Sequence, residues 1–235
     1  MLSQHDVDDF DAAMANRTRG AFPEGEALFL DSLNFINEAV EAVNPERLAT
    51  APSTLRWILG IASRSFNTGL CAYRLWLRSY YPQTAMLTRQ IDEDCLFANA
   101  IARNDQEVIE AFTEGRRPKI TLKKLAAYLG DGFAAPWQVS YDAINELVHT
   151  RAHGIAIQLN GDRVRIGPVW DEFHGHALLN ELLITIGQMA VLSIIPAAAT
   201  NSSRGQDFVE RAKLTGEPIS QWLATHPLLR PSHEP

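Results

Sequence analysis

The stretch from Leu182 to Ala199 decides the fold: LLITIGQMAVLSIIPAAA, eighteen residues without a charged side chain. This length is at the lower edge of what a membrane-spanning helix needs. However, Gln188 lies in the middle of the stretch, Asn180 and Glu181 precede it, and neither a Lys or Arg cluster nor an aromatic belt flanks it. We therefore expect a central helix that is hydrophobic all round because other helices surround it.

The composition is that of a soluble globular protein, with 46% apolar and 21% charged residues in a chain of 235. The net charge of −7 argues against broad binding of nucleic acid, although a local basic patch could still bind it. Cys71 and Cys95 provide neither a zinc spacing nor a disulfide framework. The N-terminus lacks the layout of a signal peptide. We predict a cytoplasmic protein that needs no cofactor and no membrane.

Apolar residues that recur at intervals of three and four predict several helices. Strong helices alternate with short connections, so we expect an all-α protein, an antiparallel helical bundle in one domain over 1–235. We place the core at about 53–198, peripheral helices at 5–43, and short C-terminal helices at 205–224. The individual helices are expected at about 5–16, 23–43, 53–81, 83–103, 106–112, 121–129, 136–152, 171–198, 205–214 and 218–224. Pro196 is expected to interrupt the end of the long apolar helix.

One segment has the alternation of strands. Residues 155–159 and 163–166 alternate between apolar and polar side chains, and they flank Asn160, Gly161 and Asp162. An Asn-Gly-Asp sequence between two alternating runs is typical of a tight turn. We predict a small β-hairpin, inserted between the last two core helices near 155–166.

The stretch 145–154, NELVHTRAHG, places His149 and His153 four residues apart, on one side of a helix end. Zinc sites of the H-E-x-x-H kind use this spacing. Here Thr150 stands where that motif has its glutamate, and Arg151 would repel a cation. A third ligand would have to come from the two histidines at the start of the next long helix. We therefore favour no metal site.

The helical layout also resembles the HEPN superfamily of ribonucleases. In that superfamily an Arg and a His, separated by four to six residues on a late helix, cleave RNA. Here His153 follows Arg151 by two positions only. An Arg-x-His sequence can still support acid–base chemistry at a phosphate. Our alternative function is therefore an RNA- or nucleotide-directed phosphodiester hydrolase, with His149, Arg151 and His153 as its catalytic residues.

A second resemblance covers about residues 55–155. Residues 74–93, RLWLRSYYPQTAMLTRQIDE, are followed by residues 141–149, YDAINELVH. This order is similar to a group of uncharacterised bacterial helical proteins with a Tyr-rich helix end, then Leu-x-Arg-x-x-x-Glu, then Tyr-x-x-Leu-Ser-x-x-x-His. Ile144 and Asn145 replace the leucine and the serine. The resemblance implies a helical fold and a component of a bacterial stress or phage-defence system.

The same segments predict a polar network between helices. Arg89 and Glu93 are four residues apart and can pair along one helix. Tyr141, Asn145 and His149 form a stripe of hydrogen-bonding side chains on the facing helix. The network either fixes the register of the helices or forms the floor of a ligand pocket. We name Arg89, Glu93, Tyr141 and Asn145 as candidate ligand-binding residues.

Arginine and aromatic residues alternate in the two central helices. They are Arg64, Arg74, Arg78 and Arg89, with Trp57, Tyr73, Trp76, Tyr80 and Tyr81. This combination occurs at nucleic-acid sites and at protein interfaces, and the acidic net charge favours an interface. We predict a homo-oligomeric binding or structural protein, such as a homodimer, with RNA or a nucleotide as the alternative ligand. Whether it is an enzyme stays open.

Overall fold

The computed structural model describes residues 4–129, 137–142, 144–145, 159–160, 163–164 and 168–226. Helices dominate these residues, so the predicted all-α class is confirmed. The helices are α1 Gln4–Ala21, α2 Pro23–Glu41, α3 Pro45–Thr50, α4 Ser53–Leu77, α5 Tyr81–Ala102, α6 Gln106–Thr113, α7 Leu122–Ala126, α8 over 137–142 and 144–145, α9 Glu172–Thr200 and α10 Ser202–Thr225. A 3-10 turn, Ala127–Leu129, follows α7.

The long apolar helix α9 lies at the centre and packs against α2, α4, α5 and α10. Most of its apolar side chains are therefore buried on every face, as the sequence predicts. Within the described residues, α9 alone is long and apolar enough to cross a membrane, and 61% of its most apolar eighteen-residue window is buried inside the protein. A helix covered in this way is compatible with a soluble protein.

The expected interruption at Pro196 is wrong, because α9 continues through it to Thr200. A helix can tolerate the lost N–H of a proline when tertiary contacts hold the following turn. Here the hydroxyl of Thr200 donates to the Pro196 carbonyl over 2.7 Å and accepts from the backbone N–H of Asn44 over 3.1 Å. The guanidinium of Arg47 donates to the Thr200 carbonyl. The last turn of α9 is therefore tied to the start of α3.

The C-terminal region forms one helix, α10, where we expected two short ones. Pro218 lies inside α10 and marks the expected break. Ile219 and Trp222, which follow the proline, are buried, and the Trp222 indole N–H donates to Asn180 Oδ1 of α9 over 2.9 Å. Packing against α9 therefore keeps both sides of the proline in one helix.

Helix α2 belongs to the core, which corrects its expected place at the periphery. Phe29, Leu33 and Ile36 on α2 are fully buried. At Gly69 of α4, an added Cβ would lie 2.9 Å from Leu33 Cδ2 and 3.0 Å from a methyl group of Ile186. Only a glycine allows α2, α4 and α9 to approach this closely.

The expected antiparallel arrangement holds for helices joined by short connections. Helices α4 and α5 are linked by three residues, and Arg64 contacts Asp94 thirteen residues before the end of α4 and thirteen residues after the start of α5. Helices α9 and α10 also run in opposite directions, because Gly205 packs against Ala198 beside their corner while Trp222 reaches back to Asn180.

Helices α5 and α9, which a long connection separates, are parallel to each other. The prediction of a purely antiparallel bundle is corrected in this respect. The Tyr81 hydroxyl donates to the Asp171 carbonyl at the starts of α5 and α9, and Cys95 Sγ donates to the Thr185 carbonyl fourteen residues further along each chain segment. These two helices therefore point the same way. The long segment between them allows the chain to return to the end at which α5 began.

Two short strands, β1 Leu159–Asn160 and β2 Arg163–Val164, pair in antiparallel register. Leu159 lies opposite Val164 and Asn160 opposite Arg163. The remaining residues of the predicted hairpin lie outside the described residues. The longer hairpin near 155–166 therefore stays a prediction.

Candidate functional site

The predicted polar network linked Arg89, Glu93, Tyr141 and His149; its first three members are in contact between α5 and α8, together with Asn145, while His149 lies outside the described residues. Arg89 Nε donates to Glu93 Oε1 over 3.1 Å, and Arg89 Nη1 donates to Asn145 Oδ1 over 2.7 Å. The Tyr141 hydroxyl donates to the same Glu93 oxygen over 3.3 Å. The guanidinium carbon lies 5.0 Å from the centre of the Tyr141 ring. We call Arg89, Glu93, Tyr141 and Asn145 the Arg89 network.

The Arg89 network lies at the rim of the bundle, where water still reaches it. The side chains of Arg89 and Glu93 are 29% and 26% exposed. Burial raises the pKa of Tyr141, although the positive charge of Arg89 opposes this rise, so the phenol stays protonated at neutral pH. The charges of Arg89 and Glu93 pair with one another, and each of these side chains also bonds to a residue of α8. The network thus connects α5 to α8, and its predicted role in ligand binding stays a prediction.

The three candidate catalytic residues, His149, Arg151 and His153, lie outside the described residues. The proposed third zinc ligands can be examined. His174 Nδ1 lies 2.7 Å from Asp171 Oδ1, while His176 is stacked on the Phe22 ring. Within the described ranges, no three His, Cys, Asp or Glu side chains are grouped as metal ligands.

A cavity of about 420 Å³ lies on the inner side of α8, between α5, α9 and α10. Its walls are mainly apolar, and they include Phe35, Ile144, Leu183, Ile219 and Leu223. Trp137 connects the cavity to the Arg89 network, because it lines the cavity and also stacks on Tyr141 with 4.8 Å between ring centres. The cavity and the network are therefore the inner and outer sides of the same helix contact.

Two buried carboxyl groups line this cavity. Asp92 of α5 is 5% exposed and Glu181 of α9 is 7% exposed. The Trp137 indole N–H donates to Asp92 Oδ2 over 2.6 Å, and the Ser140 hydroxyl donates to Glu181 Oε1. Both donors are neutral and both belong to α8. In the described part of the chain, neither carboxyl has a Lys or Arg partner.

The surroundings of these carboxyl groups disfavour their charged forms. Burial raises the pKa of Asp92 to about 7, and the charges of Glu181 and Glu93 add to this rise while the Trp137 hydrogen bond opposes it. Burial also raises the pKa of Glu181, against the hydrogen bond from Ser140. Asp92 can therefore hold or release a proton near neutral pH.

A third polar group lies further along the cavity wall. Gln188 Oε1 is buried and has no hydrogen-bond partner among the described residues. Because Gln188 is seven residues after Glu181, both side chains are on one face of α9, about 10 Å apart along its axis. The cavity wall thus carries carboxyl groups and, two turns along α9, an amide group.

Sequence reasoning missed Asp92 and Glu181. A signal for Asp92 was available, because it follows Thr88 by four residues and precedes Cys95 by three, on the apolar stripe of α5. We interpreted Glu181 only as a polar flank of the apolar stretch, although it is itself buried. A charge on the apolar stripe of a helix is the pattern that indicates such a site.

The arginine and aromatic residues that suggested an interface are used inside the chain. Trp76 and Tyr81 are fully buried, and the Trp76 indole N–H donates to the Gly175 carbonyl over 2.8 Å. Arg64 pairs with Asp94, and Arg78 pairs with Asp11. These four residues make contacts inside the chain, whereas Arg74 is exposed, and the interface stays a prediction.

The chain matches no family model, no curated protein and no solved structure. The resemblance to HEPN-like bacterial proteins therefore stays a prediction, and the cavity is interpreted from its own chemistry.

Proposed function

We propose that the protein is a small-molecule-binding protein whose ligand occupies the cavity between α5, α8, α9 and α10. The observation that carries this proposal is a mainly apolar cavity of about 420 Å³ whose wall contains a few polar groups, among them Asp92 and Glu181. Ligand sites in proteins are typically concave, apolar and of about 300–1,000 Å³, with a few polar groups that orient the ligand. This is a binding role, as in our first prediction from sequence.

The cost of the cavity supports the same proposal. Filling a void in a core usually stabilises a protein, and burying a carboxyl group costs free energy. The cavity is partly open to solvent, and its wall contains the small residues Ala190 and Ala212 and the acidic residue Asp92. A ligand that fills the space would recover the lost contacts.

The test is a titration with the neutral fluorescent probe N-phenyl-1-naphthylamine. We expect a saturable rise in fluorescence with one site per chain, because the probe is apolar and leaves water on binding. The variant Ala212→Phe fills part of the cavity from α10 and should weaken probe binding on the order of tenfold. The control Ala13→Phe adds the same ring to an exposed position of α1 and should leave binding unchanged.

A second filling variant protects this test against a folding failure. Thr215→Leu also enlarges a side chain that lines the cavity, and its helix content is checked by circular dichroism. If the folded variants bind the probe as tightly as the wild type does, the probe is outside the cavity and the proposal is wrong. The same conclusion follows if the wild type shows no saturable binding.

Three further predictions stay as proposals beside this one. We propose that the protein is a homo-oligomer and that the β1–β2 pairing belongs to a longer hairpin near 155–166. The alternative hydrolase, with His149, Arg151 and His153, is tested by incubating wild-type protein and His149→Ala with total RNA. Cleavage by the His149→Ala variant, or the absence of cleavage by the wild type, would show that this alternative is wrong.

A further inference from the structure

Three consecutive acidic residues of α5, Asp92, Glu93 and Asp94, provide an internal comparison. Asp94 is 2% exposed, and it accepts hydrogen bonds from the guanidinium of Arg64. Glu93 accepts from Arg89. Asp92 is as buried as Asp94, but its side-chain partner in the described residues is the neutral indole of Trp137. The same helix thus pairs two carboxyls with arginine, whereas Asp92, which faces the cavity, has no Lys or Arg partner among the described residues.

Glu181 repeats this arrangement from the opposite wall. Its side-chain partner in the described residues is the neutral hydroxyl of Ser140. The nearby Thr185 hydroxyl donates to backbone carbonyls of its own helix, at Glu181 and Leu182, and is therefore not directed at the carboxyl. Asp92 and Glu181 act on one another electrostatically. Two acidic groups therefore line the same apolar cavity, and each accepts a hydrogen bond from a neutral donor of α8.

Buried charges in proteins are normally paired, because an unpaired ion loses its hydration without compensation. A cationic ligand would supply the missing partner. Its ammonium group would carry up to three N–H donors for acceptor oxygens, and its apolar body would cover the walls. An anionic ligand would face the same two carboxyls and be repelled. A neutral ligand would gain the apolar contacts only.

From this arrangement we propose that the cavity binds an organic ammonium ion with an apolar body, whose charged nitrogen lies between the carboxyl groups of Asp92 and Glu181. This inference rests on the proposed function, since it specifies the ligand of the same cavity. The indole ring of Trp137 beside Asp92 adds an aromatic surface, which also favours cations. Gln188 Oε1, two turns further along α9, remains as an acceptor for a second donor group of a longer ligand.

The experiment compares three ligands with one hydrocarbon cage: adamantan-1-amine, adamantan-1-ol and adamantane-1-carboxylate. Affinities are measured at pH 8 by isothermal titration calorimetry. We expect the amine to bind on the order of tenfold more tightly than the alcohol, because a charge-assisted hydrogen bond is stronger than a neutral one. The carboxylate should bind more weakly than both.

The double variant Asp92→Asn, Glu181→Gln keeps the size of both side chains and removes their charge. We expect it to bind the alcohol as the wild type does and to lose the preference for the amine. The control Asp207→Asn, Glu217→Gln removes the same two charges from exposed positions of α10 and should retain that preference. Because it corrects for net charge, the control isolates the effect of the cavity carboxyls.

The outcomes separate the two proposals. If the alcohol binds as tightly as the amine, or the carboxylate binds best, the ammonium inference is wrong while a binding cavity remains. If the amine preference persists in the double variant, the cation lies elsewhere and the inference is also wrong. If none of the three ligands binds, both the inference and the proposed function fail.

Discussion

The substitution Asp92→Asn should stabilise the protein, and the gain should increase with pH. The sign follows from proton linkage: the native state holds a proton on Asp92 up to pH about 7, whereas the unfolded chain releases it near the ordinary value of 3.8. Between these two values the native state binds more protons, so wild-type stability falls as the pH rises. Asparagine does not titrate, and its amide oxygen can still accept the hydrogen bond from Trp137.

The magnitude follows from the same two values. A pKa of about 7 against 3.8 corresponds to about 4 kcal/mol at pH 8, where the native carboxyl is charged. At pH 5 the unfolded carboxyl is already ionised while the native one is not, and the gain is about 2 kcal/mol. For a chain of 235 residues, the gain at pH 8 corresponds to a rise in Tm of about 10 °C.

The assay is urea unfolding followed by circular dichroism at several pH values between 5 and 8. The control Asp207→Asn removes an exposed carboxyl from α10 and should change the stability by less than about 0.5 kcal/mol at every pH. A gain from Asp92→Asn that does not vary with pH would refute the reasoning. So would a loss of stability at pH 8, because Asp92 would then be stabilised as a charge.

Three further predictions concern the packing of the bundle. Gly205→Ala should lower the free energy of unfolding in urea by about 2 kcal/mol, because the new Cβ would lie 2.5 Å from the Ala198 backbone. Gly216→Ala on the same helix meets open space and should raise the free energy of unfolding by about 0.5–1 kcal/mol. Equal effects of the two substitutions would contradict the close approach of α9 and α10. Arg64→Ala should lower the free energy of unfolding by about 2 kcal/mol at pH 7 and by less at pH 5, because the substitution leaves the buried Asp94 without its cation. A loss of stability that does not vary with pH would be evidence against that ion pair. A double-mutant cycle of Arg89→Ala and Asn145→Ala should give a coupling of about 1 kcal/mol, and additive effects would mean that the 2.7 Å hydrogen bond contributes nothing to stability.

The extents of α4, α5 and α9 could be predicted to within about four residues, because their apolar stripes are long and regular. The six-residue helix α3 could not be predicted, since it has no buried residue that would create a periodic pattern. The continuity of α9 and α10 through their prolines depends on tertiary contacts of the turns that follow, and local sequence does not contain that information.

One part of the candidate site could be predicted from the sequence, and another part could not. The Arg89 network could be predicted because its members occur at spacings of four within two helices. The cavity could not, because its walls come from helices whose relative positions the pattern does not specify. Asp92 and Glu181 lie in different helices, and no spacing along the chain relates them. Their position on apolar stripes was the remaining signal, and it indicates burial without naming the partner.

The two experiments on Asp92 are informative together because a functional role and a structural role predict different combinations. If Asp92 served only to hold α8 as a charged acceptor for Trp137, the neutral asparagine oxygen would form a weaker hydrogen bond. Its replacement by asparagine would then lower stability, and amine binding would fall with it. If Asp92 is kept for a cationic ligand, the substitution raises the stability of the unliganded protein and lowers the affinity for the amine. Opposite signs for stability and affinity are the expected result for a carboxyl group buried at a binding site. Opposite signs cannot result from a general destabilisation of the fold, because that would lower both the stability and the affinity for the amine.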